Sequence, residues 1–390
     1  MAVIESSAVE VATTLATTST TVATVVETTS STTTTTEPEP SLSVLQTIDR
    51  GVLLSSIIVA DVDGNLLGTQ LDPESAGCEG APSEYFVTLR ADGRINPTAA
   101  NGEPIHYTSG ASVSPRGDQI LVVDTCEGFL SEVEIYDLDG DLALTEAITV
   151  DSDGALSGDA AWTADGFIAM MLSDIHAFYS EPEGEVEEQT ELQVREYLVN
   201  PRTGERTESG MLETFHFGAV RTFEGQLVYT EFDEGPAVVL ESRNGAQRRF
   251  DAGGFQLGPE GRRLLVWDSI FDEVDEPRLE LVDLVKGTTS VLARAAPFRA
   301  IWSADGARFA FTDGRSAFVY DIGSGELLDV GEPEEDECSA DESVRWGRVP
   351  LEFAPNGDLY VGDAVCGASS EGLGTVQYRV RQMVLSQPGT

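Results

Sequence analysis

Short runs of alternating apolar and polar residues recur along the chain from residue 42 onward, and each run follows a turn that contains a glycine. Alternation with a period of two is typical of half-buried β-strands, and glycine readily adopts the positive φ that a tight hairpin requires. The turns recur about 49 residues apart on average, a spacing typical of repeated β-sheet architectures. The seven turn glycines are Gly64, Gly117, Gly166, Gly225, Gly261, Gly306 and Gly357.

A second hairpin follows the first in most units, as at residues 134–140 and 317–323. Two consecutive hairpins make a four-stranded antiparallel meander, which is one blade of a β-propeller. The last unit has only three evident strands, and the strand-like segment Leu42–Ile48 has no partner of its own. We therefore predict an all-β, seven-bladed β-propeller over residues 42–390, with the N-terminal strand completing the last blade. No segment has a sustained helical period, so we expect almost no helix.

The turn that precedes the second strand of each unit carries a resemblance to known proteins. Trp302-Ser303-Ala304-Asp305-Gly306 and Ser114-Pro115-Arg116-Gly117 resemble the Trp-Ser-Pro-Asp-Gly turn of TolB-type and WD-repeat-like β-propellers. The resemblance implies the fold and leaves the function open. The α/β domain that precedes the propeller in TolB has no counterpart in the sequence, so the role of TolB is not carried over.

Residues 1–41 differ in composition from the rest of the chain. They are rich in Thr, Ser, Ala, Val and Glu, contain no aromatic residue, and end in Glu37-Pro38-Glu39-Pro40. So little apolar surface cannot offset the entropy of ordering the chain. We predict a disordered, extended tether, which resembles those of lipid-anchored or signal-cleaved surface proteins of actinobacteria.

The net charge of the chain limits the classes of partner that it can bind. It carries 68 acidic and 23 basic residues, for a net charge of -45. Such a field repels nucleic acid and anionic lipid and attracts cations or a basic partner. No apolar run is long enough for a transmembrane segment. We expect no nucleic-acid partner, no direct membrane insertion and a monomer.

Four isolated cysteines indicate the compartment. Two of them follow second strands in adjacent units and two belong to the last unit, so local pairing predicts the disulfides Cys78–Cys126 and Cys338–Cys366. Disulfides require an oxidising environment, which predicts an extracytoplasmic protein, secreted or surface-anchored, whose export signal is not in this sequence. The alternative is four buried free thiols in a reducing compartment.

The motifs of common enzymes are missing from the sequence, which contains no Gly-x-Ser-x-Gly, His-Glu-x-x-His or phosphate-binding glycine loop. Calcium binding by Asp-rich turns such as Asp61–Asn65 and Asp137–Asp141 is an alternative. These turns lack the spacing of an EF-hand loop, however, and fit ordinary Asp-Gly hairpins. We predict no cofactor. The sequence favours a non-enzymatic binding or scaffold protein of the cell envelope that recognises a protein or glycan. The alternative is a propeller enzyme of the lactonase or glycan lyase type, with a site over the central channel.

One face of the predicted ring concentrates the candidate binding residues. We call it the top face; it carries the segments between second and third strands and those between successive blades. All four cysteines, the three histidines and the long acidic segments map there. No carboxylate is fixed beside the histidines, so no metal site is predicted, and Phe178 and Tyr179 lead into the longest acidic segment. The predicted binding residues, exposed near the loops, are Tyr107, His216, Phe298, Arg299, Trp346, Arg348, His106 and His176.

Overall fold

The computed structural model describes seven antiparallel β-sheets arranged as the blades of a propeller ring. The described residues are 42–76, 82–100, 103–107, 110–126, 129–152, 157–163, 165–173, 194–212, 219–231, 236–268, 277–294, 297, 299–333, 347–366 and 376–386. No helix occurs among them, as the sequence predicted. The predicted tether, residues 1–41, lies outside the described residues.

The first part of the chain forms the N-terminal strand, which belongs to blade 7, and then blades 1 to 3. The N-terminal strand is β1 (Val44–Leu54). Blade 1 consists of β2 (Ser56–Ala60), β3 (Leu66–Ala76), β4 (Pro82–Leu89) and β5 (Ile95–Pro97). The link to blade 2 contains β6 (Ala99–Ala100), β7 (Glu103–Pro104) and β8 (His106–Tyr107). Blade 2 consists of β9 (Gly110–Val113), β10 (Gln119–Cys126), β11 (Phe129–Leu138) and β12 (Leu144–Asp151). Blade 3 consists of β13 (Ser157–Trp162), β14 (Ile168–Ser173), β15 (Val194–Val199) and β16 (Arg206–Leu212).

Blades 4 to 7 complete the ring. Blade 4 consists of β17 (Val220–Arg221), β18 (Leu227–Glu231), β19 (Ala237–Glu241) and β20 (Gln247–Asp251). Blade 5 consists of β21 (Gly254–Leu257), β22 (Arg263–Trp267), β23 (Leu279–Asp283) and β24 (Thr288–Ala293). Blade 6 consists of β25 (Arg299–Trp302), β26 (Arg308–Thr312), β27 (Ala317–Asp321) and β28 (Leu327–Gly331). Blade 7 consists of β29 (Arg348–Phe353), β30 (Leu359–Cys366) and β31 (Val376–Leu385), with β1 as its fourth strand.

The N-terminal strand closes the ring as predicted. β1 pairs antiparallel with β31, from Val44 opposite Leu385 to Leu54 opposite Tyr378. It is longer than the predicted Leu42–Ile48, because an irregularity between Asp49 and Leu53 lets the strand continue past its polar middle. The edge of the C-terminal strand is therefore covered, which removes a site for edge-to-edge aggregation.

Blade 1 differs from the predicted four-stranded pattern. Its outer strand β5 is three residues long and ends at Pro97, whose nitrogen has no hydrogen to donate. Farther along the chain β8 pairs with β4, placing Tyr107 opposite Glu84, and β6 pairs with β7 in a two-stranded ribbon. The outer edge of this blade is thus shared between two short segments.

The turns between first and second strands are uniform. Each is five residues long, and each of the seven predicted glycines has a positive φ, from 64° to 88°. In blade 6 the Ser303 hydroxyl lies 2.7 Å from Asp305 Oδ1 and accepts the N–H of Arg308 (2.9 Å). The Trp302 indole donates to the carbonyl of Gln256 in blade 5 (3.4 Å). Turn geometry and contact with the preceding blade therefore explain the Trp302-Ser303-Ala304-Asp305-Gly306 sequence.

The hydrophobic core consists of seven clusters, one at each seam between neighbouring blades. Leu351 and Tyr360 of blade 7 share a cluster with Leu66 of blade 1. Val319 of blade 6 and Val361 of blade 7 belong to another. The first strands of blades contact one another around the axis, as β25 and β2 do with β29. These innermost strands therefore line the central channel.

Candidate functional site

The two faces of the ring carry different connections. The face opposite the top face, which we call the turn face, holds the turns between first and second strands and between third and fourth strands. His176, His216, Phe298, Trp346, Cys78 and Cys338, all singled out by the sequence, lie outside the described residues. Their predicted roles stay predictions.

The remaining predicted top-face residues lie at strand ends. His106 and Tyr107 form β8, opposite Tyr85 and Glu84 of β4. Burial raises the pKa of Glu84 above its ordinary value. Of the cysteines, Cys126 ends β10 and Cys366 ends β30, both second strands. The disulfide pairing stays a prediction.

The expectation that Arg348 is exposed is wrong, because its side chain is only 7% exposed. Arg348 Nε and Nη2 donate to the two carboxylate oxygens of Asp363 (2.7 and 3.1 Å). Arg348 Nη1 donates to the carbonyl of Val330 in blade 6 (3.0 Å). Arg381 Nε donates to the same carboxylate (2.5 Å), and Arg381 Nη1 lies 3.9 Å from Asp49 Oδ2. These four charged side chains form a ladder across all four strands of blade 7, so the guanidinium of Arg348 is engaged within the seam.

Arg299, by contrast, is partly exposed on β25, an innermost strand. The next innermost strand, β29, carries Glu352, whose side chain is also partly exposed. Burial among protein atoms raises the pKa of Glu352 to about 8, and attraction by Arg299 and the N–H of Phe353 offset only part of that rise. A carboxyl group that keeps its proton near neutral pH can donate a hydrogen bond or a proton, and such groups concentrate at functional sites.

Sequence reasoning selected Arg299 and missed Glu352. A signal was present, because Glu352 interrupts the apolar run Val349–Phe353, where an innermost strand needs no charge for packing. The bulge between Pro350 and Glu352 places the glutamate opposite Tyr360. A strand pattern without its register does not show which way that side chain points.

A cleft of about 690 Å³ opens on the turn face between blades 3 and 4. A buried ion pair lines it: Arg221 Nε and Nη2 donate to Glu196 Oε1 (2.8 and 2.6 Å). Ser209, the extra residue of a bulge in β16, donates its hydroxyl to Glu196 Oε2 (2.8 Å). The two charged partners lie on different blades, and nothing in the sequence pairs them. The sequence analysis therefore missed this cleft.

The Asp-rich turns use their carboxylates within the turn. Asp61 Oδ1 accepts the N–H groups of Asp63 (2.9 Å) and Asn65 (2.8 Å), and Asp139 Oδ1 accepts those of Asp141 (2.9 Å) and Ala143 (2.8 Å). Within the described residues, no group of three or more His, Cys, Asp and Glu side chains is placed to hold a metal ion. Nor does that part of the chain contain a helix long and apolar enough to cross a membrane.

Comparisons with known proteins agree with the fold. No protein-family profile and no curated protein sequence matches the chain. The structure is similar to an oligogalacturonate lyase in complex with manganese, with a TM-score of 0.52 and 12% identity over 88% of this chain and 98% of the lyase. It is similar to a fungal alcohol oxidase in complex with copper, with a TM-score of 0.50 and 12% identity over 87% of this chain and 75% of the oxidase. TolB from Acinetobacter baumannii matches at 0.39 and 16% identity over 83% of this chain and 80% of TolB. At such identities the likeness defines a seven-bladed β-propeller and nothing finer.

Proposed function

We propose that the chain is a non-enzymatic binding propeller that recognises a positively charged protein or glycan of the cell envelope through its top-face segments. The observation that carries this proposal is the contrast in length between the connections on the two faces. The turns between first and second strands are all five residues long, whereas twenty residues connect β14 to β15 and sixteen connect β28 to β29. Long connections on a rigid scaffold are the usual place for recognition.

The composition of the long connections suggests the charge of the partner. Residues 174–193 contain seven acidic residues and no basic one, and residues 332–347 contain seven acidic residues and one arginine. A concentrated negative charge accelerates association with a basic partner and disfavours an acidic one. The charge complementarity therefore supports a cationic protein surface or an amine-bearing glycan as the target.

The first described strand enters the ring on the turn face. The N–H of Leu42 donates to Glu326 Oε2 (2.9 Å), next to a turn on the turn face of blade 6. The chain therefore joins the ring on the face opposite the proposed binding surface. We propose an extracytoplasmic location, secreted or surface-anchored, which mapping of the predicted disulfides under non-reducing conditions would test.

The binding proposal is tested with a charge-neutral variant of the longest segment. Glu183, Glu185, Glu187 and Glu188 are replaced together by Gln, and capture of cell-envelope fractions and of a lysine-rich peptide is measured between 20 and 300 mM salt. We expect wild-type capture to weaken steeply with salt and the variant to capture about tenfold less at low salt. The melting temperature should change little.

A matched control removes four exposed carboxylates away from the top face, at Glu205, Glu208, Glu260 and Asp63. This control removes the same number of negative charges and should retain capture. If both variants behave alike, or if salt has no effect, the top-face acid only solvates the surface and the proposal fails.

The channel favours a second candidate, a propeller enzyme of the lactonase or glycan lyase type. The specific observation is the protonatable Glu352 near Arg299 on adjacent innermost strands. Turnover of a panel of lactones and uronic-acid oligosaccharides would support this candidate if Glu352→Gln removed the activity while the fold stayed intact. Turnover that survives this substitution would exclude Glu352 as its acid.

A further inference from the structure

Three arginines surround one turn on the turn face, residues 222–226 of blade 4. Arg221 Nη1 donates to the carbonyl of Gly225 (3.0 Å). The guanidinium of Arg243 lies over Gly225, with its Nη2 2.5 Å from where a side-chain carbon at that position would be. The Arg262 guanidinium carbon lies 4.4 Å from the centroid of the Phe223 ring. Gly225 has φ +75°, so glycine both forms this turn and leaves room for Arg243.

These arginines differ in their partners. Arg221 is paired with the buried Glu196, which satisfies both groups. Arg243 and Arg262 make no ion pair with any described carboxylate, whereas Arg94 and Arg202 on the same face do. In a chain of net charge -45, the guanidinium of Arg243 in the cleft lining and that of Arg262, which lies over the Phe223 ring next to the cleft, form a local positive site. Guanidinium groups bind carboxylates and phosphates through paired hydrogen bonds.

The other groups at the cleft suit a polyhydroxylated ligand. Phe223 is 57% exposed at its mouth and offers an aromatic surface. Across the cleft, Asp165 is held by the Thr163 hydroxyl (2.6 Å), and a carboxylate fixed in this way can accept hydrogen bonds from sugar hydroxyls. Glu241 is already engaged by Tyr229 and Gln247, so it competes little for the arginines. The volume of the cleft lies within the range of small-ligand sites.

We propose that the cleft between blades 3 and 4 binds an anionic sugar unit, with its carboxylate or phosphate on Arg243 and Arg262 and its ring against Phe223. A nucleic acid would bring many phosphates close to a strongly acidic protein, so the net charge disfavours it. A single acidic sugar carries one anionic group, which would contact only the local positive charge of the cleft. The site is independent of the top-face binding surface, because it lies on the opposite face of the ring.

The full-length protein tests this assignment by isothermal titration at low and physiological salt. The probes are a glucuronic acid trisaccharide, a glycerol phosphate oligomer and a neutral glucose trisaccharide. We expect at least one acidic probe to bind about tenfold or more tightly than the neutral trisaccharide, which separates charge from sugar recognition. The two acidic probes distinguish a carboxylate from a phosphate ligand.

Substitutions at two positions locate the site. Arg243→Gln should weaken binding of the preferred acidic probe about tenfold, and Arg243→Lys should restore part of it, since Lys keeps the charge without the planar fork. Phe223→Ala should weaken binding by a similar factor. Arg94→Gln is the matched control, because Arg94 is an exposed turn-face arginine in blade 1 with a side chain 77% exposed.

The proposal is overturned if neutral and acidic probes bind alike, if none binds, or if Arg243→Gln and Arg94→Gln have equal effects. Should Arg243→Gln lower the melting temperature, Arg262→Gln provides a second variant on a more peripheral side chain and should give the same loss of binding. The top-face glutamine variant should leave this affinity unchanged. Failure of the cleft proposal is therefore distinguishable from failure of the proposed function.

Discussion

Two seams of the ring contain buried arginine–carboxylate pairs and differ in what surrounds them. At the seam between blades 6 and 7, Arg348 and Asp363 are each 7% exposed and lie beside ten buried apolar residues. At the seam between blades 3 and 4, Arg221 is 19% exposed and Glu196 7%, beside six buried apolar residues among those described. The first seam is filled, whereas the second opens into a cleft.

The difference shows that a buried ion pair does not by itself reveal its role. A desolvated pair stabilises a seam only when further hydrogen bonds satisfy its remaining atoms. Asp363 accepts three N–H groups from two arginines, and the backbone carbonyl of Arg348 accepts the hydroxyl of Thr312 (2.8 Å). Glu196 is also satisfied, but its seam leaves solvent-accessible space beside the pair. The closed seam therefore holds the ring together, and the open seam can hold a ligand.

The largest expected effect comes from removing the strand that completes the closed seam. Deleting residues 42–54 exposes the edge of β31 and removes Leu42, Val44 and Asp49 from blade 7. We expect loss of cooperative unfolding and aggregation through the open edge. Circular dichroism on heating and light scattering measure both effects.

The control for that deletion removes residues 1–41 only. This truncation keeps β1, so it should unfold cooperatively. If the 42–54 deletion remains soluble and cooperative, the closing strand is dispensable and the contrast between the two seams loses its basis.

A smaller loss is expected when the ladder of blade 7 is broken at its centre. Asp363→Ala leaves Arg348 and Arg381 with uncompensated buried charge, which costs about 3–5 kcal/mol of unfolding free energy. Urea unfolding at constant pH measures the change. Asp118→Ala, whose partner Arg202 is largely exposed, should cost about 1 kcal/mol or less. Equal losses for the two variants would show that the ladder behaves like a surface ion pair.

Breaking the ion pair of the open seam should cost less unfolding free energy than breaking the ladder of blade 7. Arg221→Met leaves the buried Glu196 with the Ser209 hydroxyl, and water in the cleft can solvate the carboxylate. We expect a loss of about 1–3 kcal/mol, below that of Asp363→Ala, measured by the same unfolding experiment. A loss as large as that of Asp363→Ala would mean that the cleft does not admit water to the pair.

The turns and the closing strand could be predicted because they depend on local chemistry. Gly117 and Gly306 both have a positive φ, and each lies in a turn that precedes an alternating strand, β10 and β26. The closing strand was predicted only to Ile48. It continues past Gly51, which has φ +68°, because the bulge there restores pairing with β31 at Leu53. An interruption of this kind hides the second half of a strand.

The pairing of charges could not be predicted, because it depends on register and on neighbouring blades. Arg299 and Arg348 both begin innermost strands and look alike in sequence. Only Arg348 has a carboxylate opposite it on the next strand, Asp363. The pair Arg221–Glu196 joins two blades, and the Arg243 site depends on space above Gly225. The sequence therefore predicted the scaffold well and the cleft not at all.

The last prediction concerns Glu352, on the innermost strand of the closing blade. Its folded-state pKa is raised from 4.5 to about 8 by burial, so between these values the folded protein keeps a proton that the unfolded chain releases. Unfolding then releases a proton, and raising the pH favours unfolding. Below pH 4.5 both states are protonated, and above pH 8 both are ionised, so the pH dependence is confined to that window.

The slope within the window is at most about 1.4 kcal/mol per pH unit, and channel water that solvates the partly exposed carboxylate reduces it. Glu352→Gln has no proton to release, so its advantage over the wild type should grow from pH 5 to pH 8 in urea unfolding. Glu208→Gln, at an exposed position, is the control and should follow the wild type throughout. Parallel curves for wild type and Glu352→Gln would mean that Glu352 titrates normally. In that case blade 7 accommodates an ionised carboxylate at the channel. Burial of charged groups would then not be enough to distinguish the closed seam between blades 6 and 7 from the open seam between blades 3 and 4.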